Sequence, residues 1–119
     1  AIEIEFMTMD LNGVTGHIDH IVTARAACFA FYELKKVDPR FTRIRLSCIP
    51  RTSSAGNTDW LYMEPGRTAD EIDEVIDARE VQAEIVEIMR AHHSQRADGE
   101  SHIERLGDQI GMNYFIVKK

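Results

Sequence analysis

One change of period, at Asp38-Pro39, constrains this chain more than any other feature. Before it, Ile18 to Val37 contains neither glycine nor proline and repeats apolar residues at helical spacing. After it, Phe41 to Ile49 alternates, with Ile44, Leu46 and Cys48 on one face and Arg43, Arg45 and Ser47 on the other. A residue before proline avoids the helical region, so a helix must stop at Asp38 and an extended strand must follow. A helix feeding a half-buried strand needs a sheet with one covered face.

The rest of the chain is read against that unit. Ala1 to Met9 alternates Ile2, Ile4 and Phe6 with Glu3, Glu5 and Met7, which predicts a first strand. Asp10 to Gly13 is turn chemistry, and Thr15 is the expected cap of the helix. Pro50 to Thr58 is a polar loop, followed by a short strand over Asp59 to Glu64. Thr68 and Glu71 have the spacing of a capping box, which predicts a long helix running to Gln95. Ala97 to Gly99 should break it, Ser101 to Ile110 reads as a short helix, and Asn113 to Lys118 as a last strand. The order β-α-β-β-α-(α)-β is that of a ferredoxin-like α+β sandwich, one domain over residues 1–119, its antiparallel sheet covered by helices on one face.

Composition bounds the function classes. The hydrophobic fraction of 44% is enough for a core, so the chain is not a disordered acidic tail. The longest uncharged apolar run, Ala26 to Tyr32, is far short of the roughly 20 residues of a membrane helix. The N-terminus carries no signal-peptide pattern, and Cys28 and Cys48 match no disulfide framework or zinc spacing. A soluble cytoplasmic protein with two buried thiols is expected.

The net charge of −6 is unevenly divided. Lys35 to Arg51 holds six basic residues and one acid, whereas Asp59 to Glu87 holds ten acids and two bases. On the expected second helix, Asp73, Asp77, Glu80, Glu84 and Glu87 fall on one stripe, beside an apolar stripe of Ile72, Ile76, Ala83 and Val86. The acids either solvate an outer face or form an anionic strip for a basic protein, such as one that itself binds nucleic acid. Direct nucleic-acid binding is not expected, because phosphates repel such a strip. Val81, Ile85 and Ile88 form a second apolar stripe, to be covered by Ile103, Leu106 and Ile110 or by a second subunit.

Alternation assigns the sheet faces. Ile2, Ile4, Phe6, Ile44, Leu46, Leu61, Met63, Phe115 and Val117 should face the helices. Glu3, Glu5, Met7, Arg43, Arg45, Trp60, Tyr62, Tyr114 and Ile116 should form the open face. Aromatics among charges suit a partner surface, either for another protein or for a homodimer, with Arg43, Arg45, Trp60 and Tyr62 as contact residues.

Catalytic motifs are missing: there is no GxSxG, no HExxH and no glycine-rich phosphate loop. His17 and His20 share a helical face and could reach one ion, but a zinc site needs a third ligand that nothing in the spacing supplies. No cofactor is expected. Arg25 and Arg79 each sit amid apolar neighbours on the helical projection, and a guanidinium so placed either snorkels to water or lines an anion pocket.

His17 to Val22, followed by Phe31 to Leu34, resembles the opening of the glyoxalase/vicinal-oxygen-chelate family over residues 17–34. The resemblance implies a metal ligand at His20, carried on a strand. The chain departs from the family pattern in a shorter interval from His20 to Phe31, in the strand that precedes it, and in lacking the later carboxylate strand, so the reading adopted does not follow that family. That reading is a small non-enzymatic binding or regulatory protein, an adaptor or inhibitor, using the acidic helix or the open sheet. The alternative is a small dimeric α+β-barrel enzyme of lyase or isomerase type with an Arg/His pocket.

Overall fold

A computed structural model describes residues 2–54 and 65–119. Among the described residues it is a mixed α+β fold with an open four-stranded sheet and five helices. The strands are β1 (Ile4–Met9), β2 (Phe41–Cys48), β3 (Glu74–Asp77) and β4 (Met112–Lys118). The helices are α1 (Gly13–Gly16), α2 (Ile18–Val37), α3 (Arg51–Ser54), α4 (Gln82–Ala91) and α5 (Arg96–Leu106). No helix among the described residues is long and apolar enough to cross a membrane. The chain divides into two compact units, Ala1–Glu74 with Tyr114–Lys119, and Val75–Asn113.

In the first unit, α2 connects two parallel, adjacent strands, with Phe6 beside Ile44 and Thr8 beside Leu46. The helix ends where the proline requires: Asp38 is extended, at φ −141° and ψ 110°. At its start the cap is His17 rather than Thr15, because the His17 ring accepts the Asp19 N–H while Thr15 lies inside the irregular α1. Phe31, Ile44 and Leu46 are buried, and Phe6, Leu11, Ala27, Cys28, Phe41 and Ile116 pack on them. The Phe6 ring lies 5.8 Å from both Phe31 and Phe41. These contacts anchor the helix to one face of the sheet, as the alternation in β1 and β2 dictates.

The strand order is β1-β2-β4-β3. A split βαβ unit would insert a strand between the two parallel ones, but here β1 pairs directly with β2, so the described strands do not reproduce the ferredoxin-like order. The strand expected over Asp59 to Glu64, with Trp60, Leu61, Tyr62 and Met63, lies outside the described residues.

The last strand reverses the expected faces. Ile116 pairs with Leu46 and packs on the core, whereas Phe115 and Val117 pair with Ser47 and Arg45 on the opposite face. Phe115 is nonetheless buried, with the Arg45 guanidinium 5.9 Å from its ring centre. Phe115-Ile116-Val117 is continuously apolar, so alternation could not fix its parity, and a one-residue shift exchanges every side chain.

The long second helix also fails to form. The Thr68 and Glu71 capping bonds are present, Thr68 N–H to Glu71 Oε1 at 3.0 Å and Thr68 Oγ1–H to the same oxygen at 2.9 Å, but they close one turn only. The Asp73 N–H donates to the Phe115 carbonyl, and the Asp73 carboxylate accepts the Val117 N–H. Strand pairing therefore captures the chain at Asp73, helped by the β-branched Val75 and Ile76 and by like charges at Asp70/Glu74 and Asp73/Asp77 that oppose a helix.

In the second unit, α4 and α5 form a helical hairpin tied by the Arg90–Glu100 ion pair at 2.7 Å. Ile85, Val86 and Met89 are the half-buried apolar positions of α4, while Val81 and Ile88 stay exposed, so the two expected stripes become one displaced stripe. The helix breaks at His92–Gln95 instead of at Gly99. Gly99 lies inside α5, where it faces the Met89 carbonyl.

Candidate functional site: an arginine-lined groove

The carboxyl ends of β1 and β2 open side by side, because the two strands are parallel and adjacent. In open α/β sheets ligands commonly bind outside the carboxyl ends of the strands. The chain leaving β1 turns at Asp10, whose N–H donates to the Ser47 carbonyl, and Asn12 Oδ1 then accepts the Val14 N–H at 2.9 Å. Val14 takes φ 67° and ψ −59°, a strained conformation for a β-branched residue. The chain leaving β2 passes Pro50 and Arg51, which pair with residues 66–67: Arg51 N–H donates to the Arg67 carbonyl and Arg67 N–H to the Ile49 carbonyl, both at 2.8 Å. Gly66 is required at this crossing, since a Cβ there would lie 2.4 Å from the Pro50 carbonyl oxygen.

These segments and the second turn of α2 enclose a groove of about 430 Å³. Its walls are Leu11, Asn12, Ile21, Arg25, Arg51, Pro65, Gly66, Arg67 and Glu71. Arg67 anchors the floor. Its Nε and Nη2 donate to the two oxygens of Asp10, each at 2.7 Å, and its Nη1 donates to Glu71 at 3.1 Å. Asp10 is 1% exposed, and that guanidinium is its ion-pair partner. The Asp10 carboxylate raises the Arg67 pKa above its ordinary value. Hydrogen bonds from the Thr68 N–H and hydroxyl, with Arg67, hold the Glu71 carboxyl below its ordinary value. Arg25 is exposed on the groove wall and makes no ion pair among the described residues. Arg51 lines the same groove, its Nε donating to the Gly66 carbonyl at 3.3 Å.

A shallower depression of about 490 Å³ in the second unit is lined by Asp77, Arg79, Glu80, Gln82 and Asp108. Three of its polar side chains are engaged: Arg79 holds Asp77 at 2.8 Å, and the Gln82 amide donates to the Ile110 and Asp108 carbonyls. Arg79 lowers the Asp77 pKa to about 2.

The residues singled out from sequence are dispersed. Asp73 precedes β3, Asp77 ends it, Glu80 lies in the 3-10 turn Arg79–Val81, and Glu84 and Glu87 lie on α4, so the five acids form no single helical strip. Arg79 sits in that exposed turn instead of within an apolar stripe. Arg43 pairs with Glu5, and Arg45 with Glu74 at 3.2 Å, on the sheet face opposite the core helix. Trp60 and Tyr62 lie outside the described residues. His17 and His20 stack at 4.8 Å on a helix start and not on a strand, with the His17 Nδ1 accepting from Asp19 and the His20 Nδ1 bonded to the Gly13 carbonyl. Among the described residues no three His, Cys, Asp or Glu side chains gather as a metal site. Cys48 is a buried free thiol whose pKa burial pushes up to about 11, with Asp10 adding to the effect.

Of the expected anion-binding residues, Arg25 is on the groove. Asp10, Arg51, Arg67 and Glu71 were not singled out as site residues. The legible signals were the turn chemistry at Asp10 and the Thr68/Glu71 bonds, neither of which reveals that 57 positions of chain separate Asp10 from its partner. No family model, curated protein or solved structure matches the chain.

Proposed function

We propose that this protein is a small binding domain that captures an anion in the groove beyond β1 and β2. The observation that carries this reading is the convergence of Arg25, Arg51 and Arg67 on a crevice at the carboxyl ends of two adjacent parallel strands. Guanidinium groups present planar forks that match carboxylate and phosphate oxygens. The described lining contains no histidine, cysteine, serine or threonine, so it suits capture more than covalent chemistry. The acidic residues do not lie on one helix, so this reading does not draw on an acidic helical strip. The open sheet face has little unpaired charge to offer, since Arg43 and Arg45 already meet Glu5 and Glu74.

The test is a thermal-shift and NMR titration with acetate and inorganic phosphate, on the wild type and on Arg25→Gln. A ligand at 100 times its Kd should stabilise the fold by about 2.7 kcal/mol. Arg25→Gln should weaken binding about tenfold to a hundredfold, the worth of a charge-assisted hydrogen bond. Absence of any anion-dependent shift, or equal binding by the variant, overturns the proposal.

A further inference from the structure

We infer that this protein self-associates through the outer face of α2, two copies packing their α2 helices antiparallel about a two-fold axis. The helix carries two apolar faces. On the inner one, Ala24 and Phe31 are buried, and Ala27 and Cys28 pack on the core. On the opposite side, Ile18, Val22, Ala26 and Phe29 fall within an arc of about 80°. Ile18 is 71% exposed, Val22 63% and Phe29 71%. A surface helix needs one apolar stripe, for its contact with the core. Single exposed apolar residues are ordinary, whereas a second stripe some three turns long marks an association surface.

Charge identifies the occupant as a second copy. The first turn of α2 carries Asp19, and its last turn carries Lys35 and Lys36. A helix that is acidic at one end and basic at the other complements its own reverse. Antiparallel packing sets opposite charges and opposite dipole ends together, whereas parallel packing sets like against like.

The shape of the stripe agrees with the charge. The register that sets Asp19 opposite Lys36 of the second copy places the two-fold axis level with the Ala27–Cys28 peptide. The same register sets Ile18 opposite Val37, which is 80% exposed, and Phe29 opposite Ala26, whose small side chain leaves room for the ring. Because the contact is isologous, each of these pairs occurs twice. A single pair of 20-residue helices lies at the small end of specific interfaces, so the dimer is expected to be weak and concentration-dependent.

Sedimentation velocity of the full chain, from about 10 μM to about 1 mM, tests the dimer. Circular dichroism verifies the fold of each variant. The wild type should show a monomer–dimer equilibrium in that range. Phe29→Asp should raise its Kd by about a hundredfold or more, since two rings per dimer lose their apolar contacts. Val22→Asp, on the same exposed stripe, is the second variant should Phe29→Asp not fold. Asp19→Lys and Lys36→Glu should each weaken the dimer about threefold to tenfold. Combined in one chain, they should restore the wild-type Kd, because the exchanged charges again meet their opposites. A wild type that stays monomeric throughout, or a dimer that neither Phe29→Asp nor Val22→Asp weakens, overturns the inference. A double variant as weak as the singles overturns the antiparallel arrangement.

Discussion

The Arg67 guanidinium holds the buried carboxylate of Asp10 through two parallel hydrogen bonds, Nε to Oδ2 and Nη2 to Oδ1, both 2.7 Å. This pair joins the turn after β1 to the segment that crosses the end of β2, and so builds the floor of the groove. Its geometry is bidentate, which adds direction to the attraction.

Arg67→Met should therefore cost about 3–5 kcal/mol, the penalty of leaving a buried charge without its partner. Replacing both residues, with Asp10→Leu and Arg67→Met, should recover much of that loss, because no uncompensated charge then remains. Urea unfolding of the two variants checks the pair. Equal stability of the single variant and the wild type would show that the contact contributes little.

Gly66 permits the crossing to form. Gly66→Ala puts a methyl against the Pro50 carbonyl at less than van der Waals distance, so backbone must move. A loss of about 1–3 kcal/mol is expected, the range for overpacking a close contact. Anion binding should weaken with it, since Arg51 and Arg67 are aligned by the same two backbone bonds.

Gly99→Ala has the opposite expectation. The added Cβ would sit 3.5 Å from the Met89 carbonyl, an ordinary contact, inside a regular helix. Alanine reduces the freedom of the unfolded chain and should stabilise by about 0.5–1 kcal/mol. The urea midpoint measures the gain, and a loss would mean that the methyl is not accommodated beside the Met89 carbonyl.

Cys48 makes stability sensitive to alkali. Its thiol ionises at about 11 in the fold and at its ordinary value of 9.0 in the unfolded chain. A raised folded value means that this contribution is intact below pH 9 and is lost as the pH rises towards 11, about 2–3 kcal/mol in all. Urea midpoints from pH 8 to 11 should fall more steeply for the wild type than for Cys48→Ala. Parallel profiles would show that burial does not hold the thiol neutral.

Legibility followed the range of the interactions. The helix from Ile18 to Val37, its stop before Pro39 and the burial of Ile44 and Leu46 were readable, because steric exclusion at proline and period-two alternation act within a few residues. The helix expected after Thr68 was a correct local signal overruled at Asp73 by pairing with Phe115 and Val117. Phe115 and Ile116 exchanged faces because a continuous apolar run carries no parity. Arg25 was recognisable as misplaced on an apolar helix, but its companions Arg51 and Arg67 were ordinary surface cations until the fold assembled them.

By itself, then, the sequence determined the α+β class, the first helix and the core of its adjoining strands, because those follow from backbone sterics and side-chain periodicity. Tertiary structure alone decided the strand order, the parity of β4, the dispersal of the acidic residues and the groove. Each of these depends on which distant segments pair, and a carboxylate such as Asp10 acquires its role only when burial removes water and leaves Arg67 as its partner.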